Sequence, residues 1–446
     1  MTDAAARLMS TVILSAASPR VPALGQLVDL VRAQLSHPGE TEVKVFELSS
    51  MPLAYCQGEF DCWVKTPGLC RAHDEEHDIM QAIHDAERLV LVDAVTFGGH
   101  SFTLKRAQDR LIGLVAPFFE KRAALTHHAA RYSRRAAFYA LGWQPLPDAE
   151  QARTWVSLAD ANAVNMLAPR VGAAVVDDTQ PALWPAAIEA MLASTQQPGS
   201  ALKTRAPLRE ALLQAARPTA PPLPRPRSAA ILVGSAKVKG TSASENLARA
   251  LAARLSQRGI ETRLHFAVEF LREGASALAA AQAIAATDLF MLVTPLYFDA
   301  LPALATHALE LVARASTTRD ARFALLVNCG FPEPEHNRTA VEIGAHFART
   351  AGIAWAGGLP LGGGVVVQPG VPLDGQRGPV EHIKRALEAA AASLADGGSV
   401  PPDALAAMVK SPLPDAAYRL LGDLGWRYQA WQHGVPQASL RDRPLE

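Results

Sequence analysis

The sequence predicts two tandem α/β units, each with a doubly wound sheet of five parallel strands in the order 2-1-3-4-5. Short apolar runs alternate with helical patterns along the chain, which is typical of a parallel sheet covered on both faces. Two segments of the first half also correspond to segments of the second. Residues 11–15 (TVILS) correspond to 229–234 (AAILVG), and 89–97 (LVLVDAVTF) to 290–298 (FMLVTPLYF). A length of 446 residues suits two domains of ordinary size.

The first unit is expected to span residues 1–198. Its strands are expected at residues 12–15, 42–48, 89–93, 136–141 and 172–176. Its helices are expected at residues 24–35, 75–85, 102–112, 158–167 and 182–194. Residues 199–227 are expected to form a Pro-rich linker whose end, 218–226, is extended and stiff.

The second unit is expected to span residues 228–446 and to repeat this scheme. Its strands are expected at residues 229–234, 261–266, 289–294, 323–328 and 353–359. Its helices are expected at residues 244–257, 275–286, 302–315, 338–351 and 380–394. The tail contains Trp426, Tyr428 and Trp431 and is expected to pack on this unit as one or two short helices.

Composition narrows the class of protein. The chain is 49% apolar and 19% charged, its net charge is zero, and no dense Lys/Arg stripe occurs, so neither nucleic acid nor an anionic membrane is expected as a partner. The sequence offers no apolar stretch long enough to span a bilayer and no signal-peptide pattern, so a cytoplasmic location is expected. Four cysteines do not form a disulfide framework in a chain this long.

The loop at residues 234–244 (GSAKVKGTSAS) is the strongest candidate binding motif. It joins an apolar strand to a helix start, where hydroxyls, backbone N–H groups and the helix dipole favour an anion. It has neither the ending of a nucleoside-triphosphate loop nor a dinucleotide fingerprint, so a phosphate monoester is the preferred ligand. The alternative is an ordinary capped helix after a polar loop.

Three further segments could carry chemistry. Residues 294–299 (TPLYFD) and 328–333 (NCGFPE) follow the third and fourth strands of the second unit, where aromatic side chains could flank a flat ring or simply pack in the core. The spacing of Cys56, Cys62 and Cys70 in CQGEFDCWVKTPGLC matches neither a zinc site nor a cluster motif, so no metal is expected, and a redox-active pair stays open. His127 and His128 could be ligands, but a surface or interface position is favoured.

These motifs resemble those of the flavodoxin-like NAD(P)H-dependent FMN reductases, a superfamily that includes quinone reductases and iron–sulfur flavoproteins. The first half carries CQGEFDCWVKTPGLC, TFGG, LKRAQDR and HHAARY, and the second carries GSAKVKGTSASE, TPLYFDALP and NCGFPE. The resemblance implies two flavodoxin-like domains, non-covalently bound FMN, and NAD(P)H as the electron donor. Since Glu59 interrupts the cysteine run of the iron–sulfur members, a cluster is not expected.

The resemblance also implies the FMN-binding residues. In the second unit, Ser235, Lys237, Thr241, Ser242 and Ser244 would bind the phosphate, Pro295, Leu296, Tyr297 and Phe298 would line the isoalloxazine, and Asn328, Cys329, Gly330 and Phe331 would close its far side. In the first unit, Ser18 and Arg20 would face a phosphate, and Thr96, Phe97, Gly98 and Gly99 a ring. The first loop continues with Val21-Pro22-Ala23-Leu24 rather than hydroxyls, so one intact and one degenerate site is preferred, with two flavins left open.

The functional prediction is an FMN-dependent oxidoreductase that passes electrons from NAD(P)H to a quinone, a flavin or another small planar acceptor. No residue is assigned as a general acid or base. The alternative is a non-catalytic electron carrier or adaptor that has lost one or both flavins. Because members of the resembled family often dimerise to complete the ring pocket, the two units are expected to form a pseudo-dimer within one chain, with further homodimer formation left open.

Overall fold

A computed structural model describes residues 9–35, 41–219, 221–272, 274–316 and 320–446, which form two α/β domains in chain order. The predicted strands at 12–15 and 42–48 lie within these ranges, whereas residues 1–8 of the expected first unit and residue 220 of the expected linker lie outside the described residues. None of the helices in the described part of the chain is long and apolar enough to cross a membrane.

The first domain is built on a five-stranded parallel sheet with an inserted antiparallel hairpin. The sheet strands are β1 (Met9–Ser15), β2 (Thr41–Glu47), β3 (Arg88–Ala94), β6 (Ala137–Gln144) and β7 (Val171–Asp177), and the hairpin strands are β4 (Val115–Arg122) and β5 (Leu125–Ala130). The sheet order is β2-β1-β3-β6-β7. Its central strands are apolar runs buried on both faces by the helices α1 (Pro22–Leu35), α3 (Glu76–Asp85), α4 (Phe102–Gln108), α5 (Ala149–Asn165) and α6 (Trp184–Leu192). A single turn, α2 (Asp61–Val64), lies in the cysteine-bearing loop.

The second domain repeats the arrangement. Its strands are β8 (Ser228–Val233), β9 (Glu261–Phe266), β10 (Leu289–Pro295), β11 (Arg322–Asn328) and β12 (Ala354–Leu361), in the order β9-β8-β10-β11-β12. Its helices are α8 (Ala243–Gln257), α9 (Ala275–Ala285), α10 (Ala303–Ala315), α11 (Arg338–Thr350), α12 (Glu381–Ala395), α13 (Pro402–Met408) and α14 (Asp415–Gln432). Each parallel sheet therefore has the predicted order 2-1-3-4-5, which confirms two tandem flavodoxin-like domains.

Four local features differ from the sequence-based expectation. The hairpin β4–β5 was not expected, and the expected helix at 102–112 ends at Gln108, before a 3-10 turn at Leu111–Leu114. Helix α5 begins at Ala149, well before residue 158, because Asp148 accepts hydrogen bonds from the N–H groups of Glu150 and Gln151. The expected linker contains α7 (Ala206–Ala216), whose Leu212 and Ala216 are part of the second domain's core.

The C-terminal tail departs from its expected position. Helix α14 packs mainly on the hairpin of the first domain, where Gly422 lies so close to Phe119 that a Cβ at residue 422 would lie 2.4 Å from that ring. Tyr418 keeps one link to the second domain by donating a hydrogen bond to the carbonyl of Gly330, at 2.6 Å. The tail thus bridges the two domains.

The domains meet through equivalent helices, α4 against α10 and α5 against α11. At this interface each domain caps a helix of the other. The Asp109 carboxylate accepts from the N–H of Ala303 at the start of α10, at 2.8 Å. The Glu310 carboxylate accepts from the N–H of Phe102 at the start of α4, at 3.3 Å. The chain is therefore folded as a pseudo-symmetric pair of domains.

Candidate functional site

A cavity of about 450 Å³ lies between the two domains, at the carboxyl ends of β10 and β11. Six residues of the predicted ring site line it: Leu296, Tyr297, Phe298, Cys329, Gly330 and Phe331. The other two residues predicted there, Pro295 and Asn328, are not among its lining. The size and position are those of a small-molecule site in a doubly wound fold.

The turn after β10 forms one wall of the cavity. Tyr297 and Ala300 exchange backbone hydrogen bonds of 3.0 and 3.1 Å, and the two residues between them adopt positive φ angles, 49° at Phe298 and 56° at Asp299. Two first-domain side chains hold this strained turn from outside. Lys105 Nζ donates to the Tyr297 carbonyl and Asn162 Nδ2 to the Phe298 carbonyl, both at 2.8 Å.

Lys105 connects this turn to a buried ion pair. Its ammonium lies 2.6 Å from the carboxylate of Asp109, and both side chains are almost fully buried. Burial raises the pKa of Asp109, and Lys105 opposes that rise. Because Asp109 also caps α10, one first-domain pair fixes both the turn and the following helix of the second domain.

The cysteine-bearing loop of the first domain forms the opposite wall. Cys56, Cys62 and Cys70 line the cavity together with Cys329 of the second domain. Burial raises the pKa of Cys56 well above its usual value and that of Cys62 to about 12, so these thiols are protonated near neutral pH. Among the described residues, no group of three or more His, Cys, Asp or Glu side chains is arranged to hold a metal ion.

Gly58 marks the closest approach of this loop to the second domain. Its φ is +69°, and a Cβ added there would lie 1.9 Å from the phenolic oxygen of Tyr297 and 3.6 Å from Cε of Lys237. Only glycine fits such a backbone conformation and such a contact. The cavity wall and the predicted phosphate loop therefore meet at Gly58.

The hydroxyls of the predicted phosphate loop bond within the protein. Ser235 Oγ accepts from the N–H of Lys237 at 3.3 Å, Thr241 donates to the carbonyl of Val238 at 2.6 Å, Ser242 caps α8 by accepting from the N–H of Glu245 at 3.0 Å, and Ser244 donates to Asn328 Oδ1 at 2.8 Å. The N–H groups of Ala243 and Ser244 have no acceptor among the described residues, as is usual for the first turn of a helix.

Two charged side chains complete this loop. The Glu245 carboxylate accepts from the N–H of Gly240 and pairs with Arg249 at 2.7 Å, so a carboxylate of the chain occupies part of the loop. Lys237 extends toward the cysteine-bearing loop, with its ammonium 5.6 Å from the centre of the Phe60 ring. Burial lowers the pKa of Lys237, while Glu59 and Cys56 raise it. Lys237 thus lies between the helix start and the cavity.

The first-domain residues of the predicted site lie elsewhere. Ser18 closes a tight turn by accepting from the N–H of Val21 at 3.0 Å, and Arg20 is exposed. Thr96, Phe97, Gly98 and Gly99 form a turn like that at Tyr297 but lie beneath α11, where a Cβ on Gly99 would be 2.6 Å from Ile343. These six residues are not part of the cavity lining.

Sequence reasoning did not predict that the hairpin and the C-terminal helix would contribute residues to this cavity. Phe119, His128, Tyr418 and Trp426 all line the cavity, and they come from the hairpin and from α14. His128 is half-buried and its ring lies 5.1 Å from that of Phe331 in the second domain. The HHAARY motif and the aromatic tail were visible signals, but only the tertiary structure brings them together.

Part of the second domain matches a known family. Residues 228–331 match the family described as NADPH-dependent FMN reductase. This range contains the loop at 234–244, the turn after β10 and the residues Cys329 to Phe331. No curated protein matches the chain.

Several solved structures are similar at low identity. They include an azoreductase from Bacillus anthracis str. Sterne (16% identity, TM-score 0.28, 38% of this chain and 98% of that chain) and an NAD(P)H:quinone oxidoreductase from Methanothermobacter marburgensis (15%, 0.27, 38% and 98%). An NADH:FMN oxidoreductase is also similar, with 15% identity and a TM-score of 0.30. That match covers 43% of this chain and 98% of that chain. At such TM-scores these similarities support no inference, and the fold assignment rests on the strand order. The resemblance to the flavodoxin-like FMN reductases is thus confirmed by the family match over residues 228–331 of the second domain.

Proposed function

We propose that this protein is an FMN-dependent NAD(P)H oxidoreductase with one flavin site, formed by the second domain and completed by the first. The observation that supports this most directly is the cavity itself. Six residues expected beside an isoalloxazine line one interdomain space, next to a loop that matches the FMN reductase family. FMN would supply hydride and single-electron chemistry when bound.

The residues present fit this cofactor. The start of α8 offers unpartnered N–H groups and the nearby cation of Lys237, which suit a phosphate dianion. The aromatic and apolar walls at Leu296, Phe298 and Phe331 suit a flat ring. For the phosphate to bind, the hydroxyls of Thr241 and Ser242 would exchange their internal partners for phosphate oxygens.

Each part of the chain has a distinct role in this proposal. The loop at 234–244 binds the phosphate, and the turn at Tyr297 supplies backbone groups along the ring edge. Lys105 and Asn162 position that turn, and the cysteine-bearing loop excludes water from the other side. NAD(P)H and a planar acceptor would use the remaining cavity in turn, and their identity within those classes stays a prediction.

The flavin-to-protein ratio of the purified full chain tests this proposal. We expect about one FMN per chain, with Lys237→Gln lowering FMN affinity about tenfold because a partly buried charge contact is lost. Lys239→Gln is the matched control, since its ammonium lies 4.1 Å over the Phe266 ring, and it should change affinity little. Arg20→Gln in the first domain should also have little effect. A chain with no flavin absorbance, and none gained on adding FMN, would contradict the proposal.

The carrier alternative predicts a different result. A carrier would bind FMN yet fail to oxidise NADH or NADPH with any quinone or free flavin as acceptor. An adaptor that has lost its cofactor would bind no FMN. Steady-state NAD(P)H oxidation by the flavin-loaded chain therefore separates the three possibilities.

A further inference from the structure

The outer face of helix α14 is apolar and exposed. Within twelve positions of this helix, five large side chains expose between 54% and 67% of their surface: Leu420, Leu421, Leu424, Tyr428 and Trp431. The half-buried Ala417 continues the same face toward the start of the helix. We call these six residues the outer stripe. Because monomeric proteins rarely leave so many large apolar side chains together in water, the outer stripe has the character of a contact surface.

The opposite face of α14 is already packed. Its residues recur every four positions from 418 to 430. Tyr418 and Ala430 are buried, and Trp426 meets an aromatic ring of the cysteine-bearing loop edge-on at 5.0 Å. Successive residues of an α-helix are rotated by about 100°, so positions two apart point to nearly opposite sides. Since Leu420 comes two positions after Tyr418, the outer stripe points away from the body of this chain.

No charged side chain interrupts the outer stripe. The charged residues of α14 are two acids and two bases, Asp415, Arg419, Asp423 and Arg427. A helix that lies on an anionic membrane typically carries an excess of Lys and Arg along its polar face. The balanced charge of α14 instead favours an uncharged, apolar protein surface as its partner.

The spacing of the outer stripe is palindromic. Its central line is separated by three, four, four and three positions, at Ala417, Leu420, Leu424, Tyr428 and Trp431. An antiparallel copy of the helix, related by a two-fold axis at Leu424, presents the same spacing. Ala417 of one copy then lies opposite Trp431 of the other. Leu420 lies opposite Tyr428 in the same way, so each aromatic side chain faces a smaller one. Such self-complementarity is what a two-fold symmetric dimer requires.

The size of the outer stripe also suits a second copy. Its exposed fractions correspond to roughly 600 Å² per chain, so two stripes in contact would bury about 1,200 Å². That area is the lower limit for a specific protein–protein interface. Interfaces near this size bind with micromolar or lower dissociation constants, depending on how well they pack.

We propose that two copies of this chain pair through the outer stripe, as an antiparallel contact of α14 with α14 about a two-fold axis at Leu424. This inference goes beyond the proposed function and does not depend on flavin binding. Tyr418 and Trp426 of the same helix line the cavity. The second copy would therefore lie behind one cavity wall and support it from outside.

Sedimentation equilibrium of the full chain at about 50 µM tests this pairing. We expect about twice the chain mass of 47.5 kDa. Leu424→Glu should weaken the dimer about 100-fold, because two carboxylates would face each other across the axis. Leu278→Glu, at a leucine of α9 that is 52% exposed, is the matched control and should leave the dimer intact. Should Leu424→Glu fail to fold, Leu420→Glu changes the same stripe one turn earlier and should also dissociate the dimer.

Opposite charges test the position of the axis. Leu424→Lys alone should be monomeric, whereas an equimolar mixture of Leu424→Glu and Leu424→Lys should associate again, because opposite charges then meet. A mixture that stays monomeric would overturn the axis at Leu424. A monomeric wild type would overturn the pairing itself, and so would a dimer that persists in Leu424→Glu. A monomer that binds phosphatidylcholine vesicles, but not when it carries Leu424→Glu, would identify a membrane as the partner and would equally overturn the inference.

Discussion

The two domains share one turn but use it differently. After the third strand of each sheet, Thr96 pairs with Gly99 and Tyr297 with Ala300, and the second residue of each turn has a positive φ, 53° at Phe97 and 49° at Phe298. The first-domain turn is covered by α11 of the second domain, whereas the second-domain turn borders the cavity. The same backbone turn is thus packed under a helix in one repeat and borders a cavity in the other.

The two domains cap each other's helices in the same way, but they differ at the position of Lys105. Asp109 and Glu310 occupy equivalent positions, and each caps a helix of the opposite domain. Lys105, however, corresponds to Thr306, so the second domain has no cation at the position from which Lys105 holds the Tyr297 turn. Because of this asymmetry, a lysine of the first domain holds the turn of the second domain, whereas the second domain has no equivalent lysine to hold the turn of the first.

Removing that cation should have the largest effect. Lys105→Met leaves the buried Asp109 carboxylate without its ion partner, and we expect the free energy of unfolding to fall by about 3–5 kcal/mol. The pKa of Asp109, already raised by burial, should rise further once Lys105 no longer opposes it. Because an acid with a raised folded-state pKa destabilises the protein above its unfolded pKa, the deficit should shrink as pH falls toward 4.

Urea unfolding followed by circular dichroism measures this change. Lys65→Met is the matched control, because Lys65 and Asp61 form an i,i+4 pair at 3.0 Å in the same domain with the lysine side chain 46% exposed. That variant should lose less than about 1 kcal/mol. If both variants lose the same small amount, the buried pair does not stabilise the interface.

Disturbing the contact at Gly58 should have the next largest effect. In Gly58→Ala the new Cβ meets the Tyr297 hydroxyl, and the backbone has a positive φ, so we expect a loss of about 2–4 kcal/mol. Gly259→Ala has a φ of +79° but open space around its Cβ, so it should lose only about 1–2 kcal/mol. A larger loss at residue 259 than at residue 58 in urea unfolding would show that the domains do not meet at Tyr297.

The repeated sheet could be predicted from the sequence because its signal is local. Buried parallel strands are short apolar runs, and a run such as residues 289–294 identifies itself without knowledge of its neighbours. The start of α5 was missed although its signal was present, since Asp148 followed by Gln151 is a capping pattern. The hydrogen bonds that hold the turn at Phe298 follow from neither signal, because their donors, Lys105 and Asn162, belong to the other domain.

The candidate site was predictable only in part for the same reason. The residues of the two strand-end loops lie where parallel-sheet topology puts them, at one edge of the second sheet. The opposite wall is formed by Cys56, Phe119 and Trp426, which are far apart in sequence and meet only through the interdomain packing. No periodicity in the chain encodes that meeting.

Breaking one reciprocal cap should have a moderate effect. Glu310→Ala leaves the N–H of Phe102 without its acceptor, and we expect a loss of about 1 kcal/mol in urea unfolding. Glu342→Ala is the control. Glu342 pairs with Arg338 at 3.0 Å within α11, much as Glu310 lies 4.0 Å from Arg314 within α10. Among the described residues, Glu342 caps no helix of the other domain. Its expected loss is about 0.3–0.5 kcal/mol. Equal losses would mean that the cap adds nothing to the ion pair.

The smallest expected effect concerns a peripheral ion pair between the domains. Asp148 at the start of α5 lies 2.5 Å from Arg349 of α11, and backbone and arginine hydrogen bonds outweigh burial and lower its pKa to about 2. Because the folded-state pKa of Asp148 lies below its unfolded value, the contribution of Asp148 to stability is complete above about pH 4 and is lost as pH falls toward 2.

The variant Asp148→Asn tests this. It keeps a capping oxygen, so at pH 6 its free energy of unfolding should fall by only about 0.5–1 kcal/mol after solvent screening. The difference from the wild type should narrow below pH 4 and in high salt, whereas Asp396→Asn, at a surface pair 3.9 Å from Arg225, should show no measurable loss at any of these pH values. A pH-independent deficit for Asp148→Asn would mean that the cap, and not the interdomain charge pair, determines the contribution of Asp148.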